Sequence, residues 1–143
     1  MTSLLHLSYR IVDEHTSTLI DKIKDSKKSF RYIVGIENGG VHISRKIASA
    51  LNMEHKTVRI SAYDDKGFKL RDIPIVSGNS FGSNCLIVDD LVDTGSTIKA
   101  YDNHFGLKDN SVAVLFWNKQ SGYQPDYYVL EKNPGTWIVF PWE

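Results

Sequence analysis

Leu86-Ile87-Val88-Asp89-Asp90-Leu91-Val92-Asp93-Thr94-Gly95-Ser96-Thr97 is the stretch on which the reading of this chain turns. The apolar run Leu86–Val88 reads as a buried strand, and it stops at two adjacent carboxylates, Asp89 and Asp90. A third acid, Asp93, follows, and Thr94-Gly95-Ser96-Thr97 then opens a helical pattern. Small hydroxyl residues and a glycine at a strand-to-helix turn leave backbone N–H groups free to cradle a phosphate. Acids just ahead of such a turn can hold ribose hydroxyls or a metal-bound diphosphate. One short loop of this composition can grip a sugar phosphate at both ends.

Working outward, apolar positions from Arg10 to about residue 26 recur at helical spacing. Phe30 to Ile36 reads as a strand, Asn38-Gly39-Gly40 as a turn, and Val41 to Leu51 as a helix turning Val41, Ile43, Ile47, Ala48 and Leu51 inward. Thr57 to Ala62, rich in β-branched residues, reads as the next strand. Tyr63 to Ser83 is rich in Gly, Asp, Lys, Ser and Asn, and is long for a connection in a compact domain, which marks it as a flexible lid. Cys85 to Val88 is the strand of the opening motif, Thr97 to Phe105 a helix, and Ser111 to Trp117 and Asp126 to Leu130 two more strands. Strands alternating with helices predict an α/β domain with a mainly parallel sheet covered on both faces. Ligands in such sheets bind beyond the C-terminal ends of the strands, where the Asp89–Thr97 loop falls.

The 143 residues suit one domain, 1–143, and the balance of 17 basic and 17 acidic side chains points to neither nucleic acid nor a membrane surface. No apolar run reaches the roughly 18 residues needed to span a bilayer, and Met1 to His6 lacks the pattern of a signal peptide. The single cysteine, Cys85, reads as a small core residue rather than a nucleophile. The histidines at 6, 15, 42, 55 and 104 are scattered without metal-ligand spacing, and no Gly-x-Ser-x-Gly elbow or GKS/GKT phosphate loop is present.

The twelve-residue stretch resembles the binding motif of the type I phosphoribosyltransferases, which use 5-phosphoribosyl 1-diphosphate (PRPP). The hydrophobic run, the Asp-Asp pair and the Asp-Thr-Gly-x-Thr tail all match. Further segments resemble the branch acting on 6-oxopurines, above all its xanthine-guanine members: Gly35-Ile36-Glu37-Asn38-Gly39-Gly40, Ser61-Ala62-Tyr63, Lys119 after Phe116-Trp117, and Thr136-Trp137-Ile138 with Pro141-Trp142-Glu143. The resemblance implies a central parallel sheet with flanking helices and a small hood made by residues 131–143, with an N-terminal piece added to it. It implies transfer of 5-phosphoribosyl from PRPP to N9 of guanine, xanthine or hypoxanthine, with Mg²⁺ as cofactor, in a cytoplasmic homodimer or homotetramer.

The resemblance also assigns roles. Thr94, Gly95, Ser96 and Thr97 would bind the 5-phosphate. Asp89 and Asp90 would hold the ribose hydroxyls, directly or through Mg²⁺. Asp93 would lie near purine N7 and manage its proton. The loop of Asn38, Gly39 and Gly40 would hold the diphosphate through backbone N–H groups, often behind a strained peptide; the family usually carries Arg or Lys where this chain has Asn38, so Arg45 or Lys46 would supply the missing charge. Lys66, Lys69 and Arg71, with Arg71 preferred, would reach the diphosphate from the lid. Lys119 would donate to the oxygen at purine C6, and Trp137 would stack on the base with Ile138 beside it. Two rival readings share the fold: a non-catalytic PRPP-binding regulator, and a transferase for another base.

Overall fold

The computed structural model describes residues 3–61 and 75–143. In chain order the elements are β1 (Ser3–His6), α1 (Tyr9–Asp25), β2 (Tyr32–Glu37), α2 (Val41–Leu51), β3 (Glu54–Ser61), β4 (Ile75–Ser77), β5 (Cys85–Val88), β6 (Leu91–Val92), α3 (Ser96–Phe105), β7 (Ser111–Ala113), β8 (Phe116–Trp117), β9 (Leu130–Glu131) and β10 (Thr136–Val139). The mixed α/β class and the mainly parallel sheet are as the alternation of patterns implies. Ser8 starts α1 by accepting a hydrogen bond from the Ile11 N–H, and Asn52 ends α2 in the left-handed conformation. No helix among the described residues is long and apolar enough to cross a membrane.

The main sheet runs β4-β3-β2-β5-β7, parallel throughout except for the antiparallel β3–β4 edge. Its side chains sort by the two-residue period of a strand. Ile33, Leu86, Val88, Ala113 and Leu115 join Val12, Leu19, Ile23, Ile43 and Ile47 of α1 and α2 in one core. Val34, Ile36, Cys85, Ile87, Val112 and Val114 join Val58, Ile98 and Tyr101 in the other, on the side of α3. Both faces are covered, which is why β5 is buried along its whole length and shows no polar alternation.

Three sequence expectations are corrected here. The span Ser111–Trp117 is not one strand: β7 belongs to the main sheet, whereas β8 pairs in parallel with β6 and β9 in a second, smaller sheet. The carbonyl of Asp90 holds the break by accepting from the N–H groups of Leu115 and Phe116. The strand expected over Asp126–Leu130 is reduced to an isolated bridge at Tyr127, followed by β9. The expected lid over 63–83 is not all loop, because Ile75–Ser77 forms β4 against β3; Ala62, Tyr63, Lys66, Lys69 and Arg71 lie outside the described residues. A further ribbon pairs β1 with β10 in parallel, Leu4 beside Trp137 and Leu5 beside Ile138, so a segment from the start of the chain supports the hood strand.

From β2 the chain passes through α2 to β3 on one side; from β5 it passes through α3 to β7 on the other. The loops after β2 and β5 thus meet at the point where the strand order reverses, the usual ligand crevice of an open α/β sheet. Glycines let them touch. A Cβ on Gly40 would lie 2.3 Å from the Val88 carbonyl oxygen and 3.0 Å from the Asp89 Cα, both backbone atoms that cannot swing aside. Gly40→Ala should therefore lower stability by about 1–3 kcal/mol, read as a drop of several degrees in the thermal midpoint; an unchanged midpoint would contradict this close approach.

Candidate active site

At the end of β5, Asp89 is buried and its Oδ1 accepts from the Asp90 N–H at 2.8 Å. Burial holds the Asp89 carboxyl well above the ordinary carboxylate range, and the neighbouring Asp90 charge adds to the effect. Burial also pushes Asp90 up to about 6, against the opposing pull of its hydrogen bond with Asp89 and of the Trp142 indole. Glu143 is raised in the same way, by burial first and then by the Asp90 charge. Three acids thus share a region that favours a proton or another cation over bare negative charge.

The first glycine loop closes on this group. A Cβ on Gly39 would fall 2.2 Å from Asp90 Oδ2, so only glycine lets the loop lie against that carboxylate. The peptide bond between Glu37 and Asn38 is cis. Gly40 starts α2 with no side-chain cap, and the Gly40 carbonyl takes its first helical hydrogen bond from the Ser44 N–H. Of the cations considered as substitutes for a charge at Asn38, Lys46 is engaged by Asp13 at 3.1 Å and Arg45 lies exposed on α2.

Gly95 has φ +85° and starts α3, again without a side-chain cap. The first intrahelical bond runs from the Lys99 N–H to the Gly95 carbonyl, so the amides of Ser96, Thr97 and Ile98 precede the helical ladder. The Ser96 amide meets the Thr94 hydroxyl at 3.3 Å, and that hydroxyl meets Ser96 Oγ at 3.1 Å. With the Thr97 and Ile98 amides ahead of the ladder, a positive helix end and two hydroxyls, the turn is chemically suited to an anion.

Asp93, the residue before this turn, lines a cavity with Asp90, Leu91, Lys132, Trp137, Ile138, Phe140 and Glu143. Trp137 is 55% exposed, leaving its indole available to a planar ligand, whereas Ile138 is 4% exposed and anchors β10 in the core. Trp142 stacks on Phe140 with ring centroids 5.0 Å apart. Lys119 stands elsewhere, on the helical turn after β8, with Nζ 3.3 Å from Glu131 and its side chain 64% exposed. The structure therefore brings Asp90, Asp93, Trp137 and Ile138 to one cavity, sets Asp89 and Gly39 against Asp90, and leaves Lys119 and the Thr94–Thr97 turn out of its lining. Lys132, Phe140 and Glu143 are cavity residues that the sequence reading did not single out. Lys132 lies in Glu131-Lys132-Asn133-Pro134-Gly135, which has the composition of a solvated turn; no local pattern distinguishes it from a surface lysine.

The phosphoribosyl transferase domain family matches residues 3–143. A xanthine-guanine phosphoribosyltransferase of Desulfotalea psychrophila is 36% identical over 121 residues, covering 82% of this chain and 72% of the relative. The crystal structure of a purine phosphoribosyltransferase from Pyrococcus horikoshii superposes with a TM-score of 0.78 at 27% identity, covering 99% of this chain and 95% of that one. The xanthine-guanine-hypoxanthine phosphoribosyltransferase of Helicobacter pylori, at 20% identity, shares the fold with a TM-score of 0.75 over 98% of this chain and 94% of its own. By the family match and the 36%-identical relative, the chain belongs to the phosphoribosyltransferase family.

Proposed function

We propose that this enzyme transfers the 5-phosphoribosyl group of PRPP to N9 of a 6-oxopurine, guanine, xanthine or hypoxanthine, in purine salvage. The bond from C1′ to the diphosphate oxygen breaks, the bond from C1′ to N9 forms, and diphosphate leaves with the bonding electrons. The observation that carries the reading is that Trp137 and Asp93, the residue immediately before the Thr94–Thr97 turn, line one cavity. The base class is supported by the named activity of the 36%-identical relative.

In this reading the amides and hydroxyls of Thr94, Gly95, Ser96 and Thr97 hold the 5-phosphate, and Asn38, Gly39 and Gly40 offer backbone N–H groups to the diphosphate. Trp137 stacks on the purine while Ile138 backs it. Asp93 takes the proton that the imidazole ring of the base gives up, through N7. Lys119 joins the site only by leaving Glu131, and Arg71 belongs to the segment outside the described residues. A cytoplasmic place and a homodimer or homotetramer go with the reading.

The residues fit Mg²⁺. Among the described residues no group of three or more His, Cys, Asp or Glu is arranged to hold a metal by itself. Mg²⁺ is commonly bound by one or two carboxylates with the rest of its shell from water and substrate phosphates. Asp89 and Asp90 are such a pair, and their raised proton affinity marks a place where a cation relieves repulsion. Bound there with PRPP, the ion would neutralise charge on the departing diphosphate.

Asn38 favours a second reading, a non-catalytic PRPP-binding regulator, because it supplies no charge to the diphosphate loop. Incubation of the protein with PRPP, Mg²⁺ and a panel of guanine, xanthine, hypoxanthine, adenine and pyrimidines decides between them. The enzyme reading expects a nucleoside monophosphate from a 6-oxopurine; a regulator gives none, and product from adenine or a pyrimidine alone moves the base class. Asp93→Asn should lower turnover roughly 10²- to 10⁴-fold while leaving the KM for PRPP within a few-fold, in steady-state assays.

The acid pair also makes a stability prediction. Asp90 binds its proton more tightly folded than unfolded, with a pKa raised from 3.8 to about 6. The folded state therefore loses stability as pH rises from about 4 through about 6, and stays at that lower level above. Asp90→Asn, which carries no charge, should melt several degrees higher than the wild type at pH 7 without ligand, and the advantage should vanish near pH 4. Thermal denaturation across that range checks it; an advantage independent of pH would contradict the charge argument.

A further inference from the structure

Asp93 Oδ1 receives two donors from the protein: Nδ2 of Asn118 at 3.1 Å and Nζ of Lys132 at 3.2 Å. Among the described residues none donates to Oδ2. The Lys132 side chain is 4% exposed, whereas Asp93 keeps 33%. A lysine this deep is unfavourable unless its charge is matched, and a buried ion pair is often no more stabilising than apolar side chains of the same size. Stability alone therefore gives a poor account of the pair.

Both donors are held from behind. The Lys132 backbone N–H donates to the Trp117 carbonyl at 2.7 Å, and its ammonium also donates to the Asn133 carbonyl at 3.3 Å. The Asn118 backbone N–H donates to the Val92 carbonyl at 2.8 Å, and its side-chain oxygen accepts from the Gln120 N–H at 3.0 Å. With its oxygen so occupied, the Asn118 amide turns its NH₂ group to Asp93. The two donors come from the ends of β8 and β9, neighbours in the small sheet, and they converge on one carboxylate oxygen.

The geometry points to Lys132 and Asn118 as a positioning pair for Asp93: they occupy Oδ1, fix the plane of the carboxylate, and leave Oδ2 as the oxygen that meets the base. The inference rests on the reading of Asp93 as the group that takes the proton of the base. It explains a buried cation that composition would assign to the surface, and it makes the small sheet part of the catalytic framework. Neither residue needs to touch the substrate to act in this way.

A double-mutant cycle tests it. Lys132→Met should lower kcat roughly 10- to 100-fold, the scale on which a misaligned reacting group is felt, with the KM for PRPP nearly unchanged. Asn118→Ala should give a smaller loss of the same kind, and carries the test if Lys132→Met does not fold. In an Asp93→Asn background both losses should shrink to less than about twofold, because the group they align is gone. A wild-type kcat in Lys132→Met, or a loss of equal size in both backgrounds, overturns the positioning role and leaves the reading of Asp93 intact. Wild-type turnover in Asp93→Asn alone removes the role of Asp93, and the positioning role with it.

Discussion

The close approach of two loops at the reversal of strand order is the constraint on which the rest depends. The Asn38–Gly40 loop can lie on the Asp89–Asp90 loop only because Gly39 and Gly40 carry no side chains: one would enter the Asp90 carboxylate and the other the backbone at Val88 and Asp89. Strands β2 and β5, hydrogen-bonded in register from Tyr32 beside Cys85 to Gly35 beside Val88, bring the loops to the same level. Two uncapped helix starts then open toward the same end of the sheet. The acids gathered there feel it: partial burial and mutual repulsion raise the proton affinity of Asp89, Asp90 and Glu143.

Much of this was legible in the linear chain, for physical reasons. Val41–Leu51 shows a clean helical stripe and folds as α2 over the same span. Cys85–Val88 is apolar at every position because helices cover both faces, and it forms β5 with the same bounds. The turn expected at Asn38-Gly39-Gly40 lies between β2 and α2, while the packing of its glycines against Val88–Asp90 is a long-range contact the local sequence does not show. The turn into α3 was readable because its signal is local: Gly95 and the small hydroxyl residues beside it mark the helix start within a few successive residues.

What escaped the reading was set by distant contacts. All seven residues from Ser111 to Trp117 are buried, so no alternation marks the place where the chain leaves one sheet for another; the Asp90 carbonyl, far away in sequence, decides it. Around β9 the usual sorting is inverted, with Leu130 at the surface and Lys132 inside. That inversion is stabilised by Asp93, nearly forty positions earlier, and is invisible to any window of neighbouring residues. Lys119 illustrates the converse: it follows an apolar strand at a place where a base-reading lysine is expected, yet its ammonium pairs with Glu131 in solvent.

The ribbon of β1 and β10 is built differently from the sheet it accompanies. Every residue of β1 is exposed, and its partner strand is fastened to the body chiefly through Ile138, with Phe140 just beyond. Two strands alone are only marginally stable, so order in this ribbon is borrowed from those few anchors. The wall that carries Trp137 should then open more readily than the acid loop, whose strand lies in the middle of the sheet. A cavity with one rigid side and one yielding side can admit a flat molecule and settle around it while the charged apparatus opposite keeps its shape.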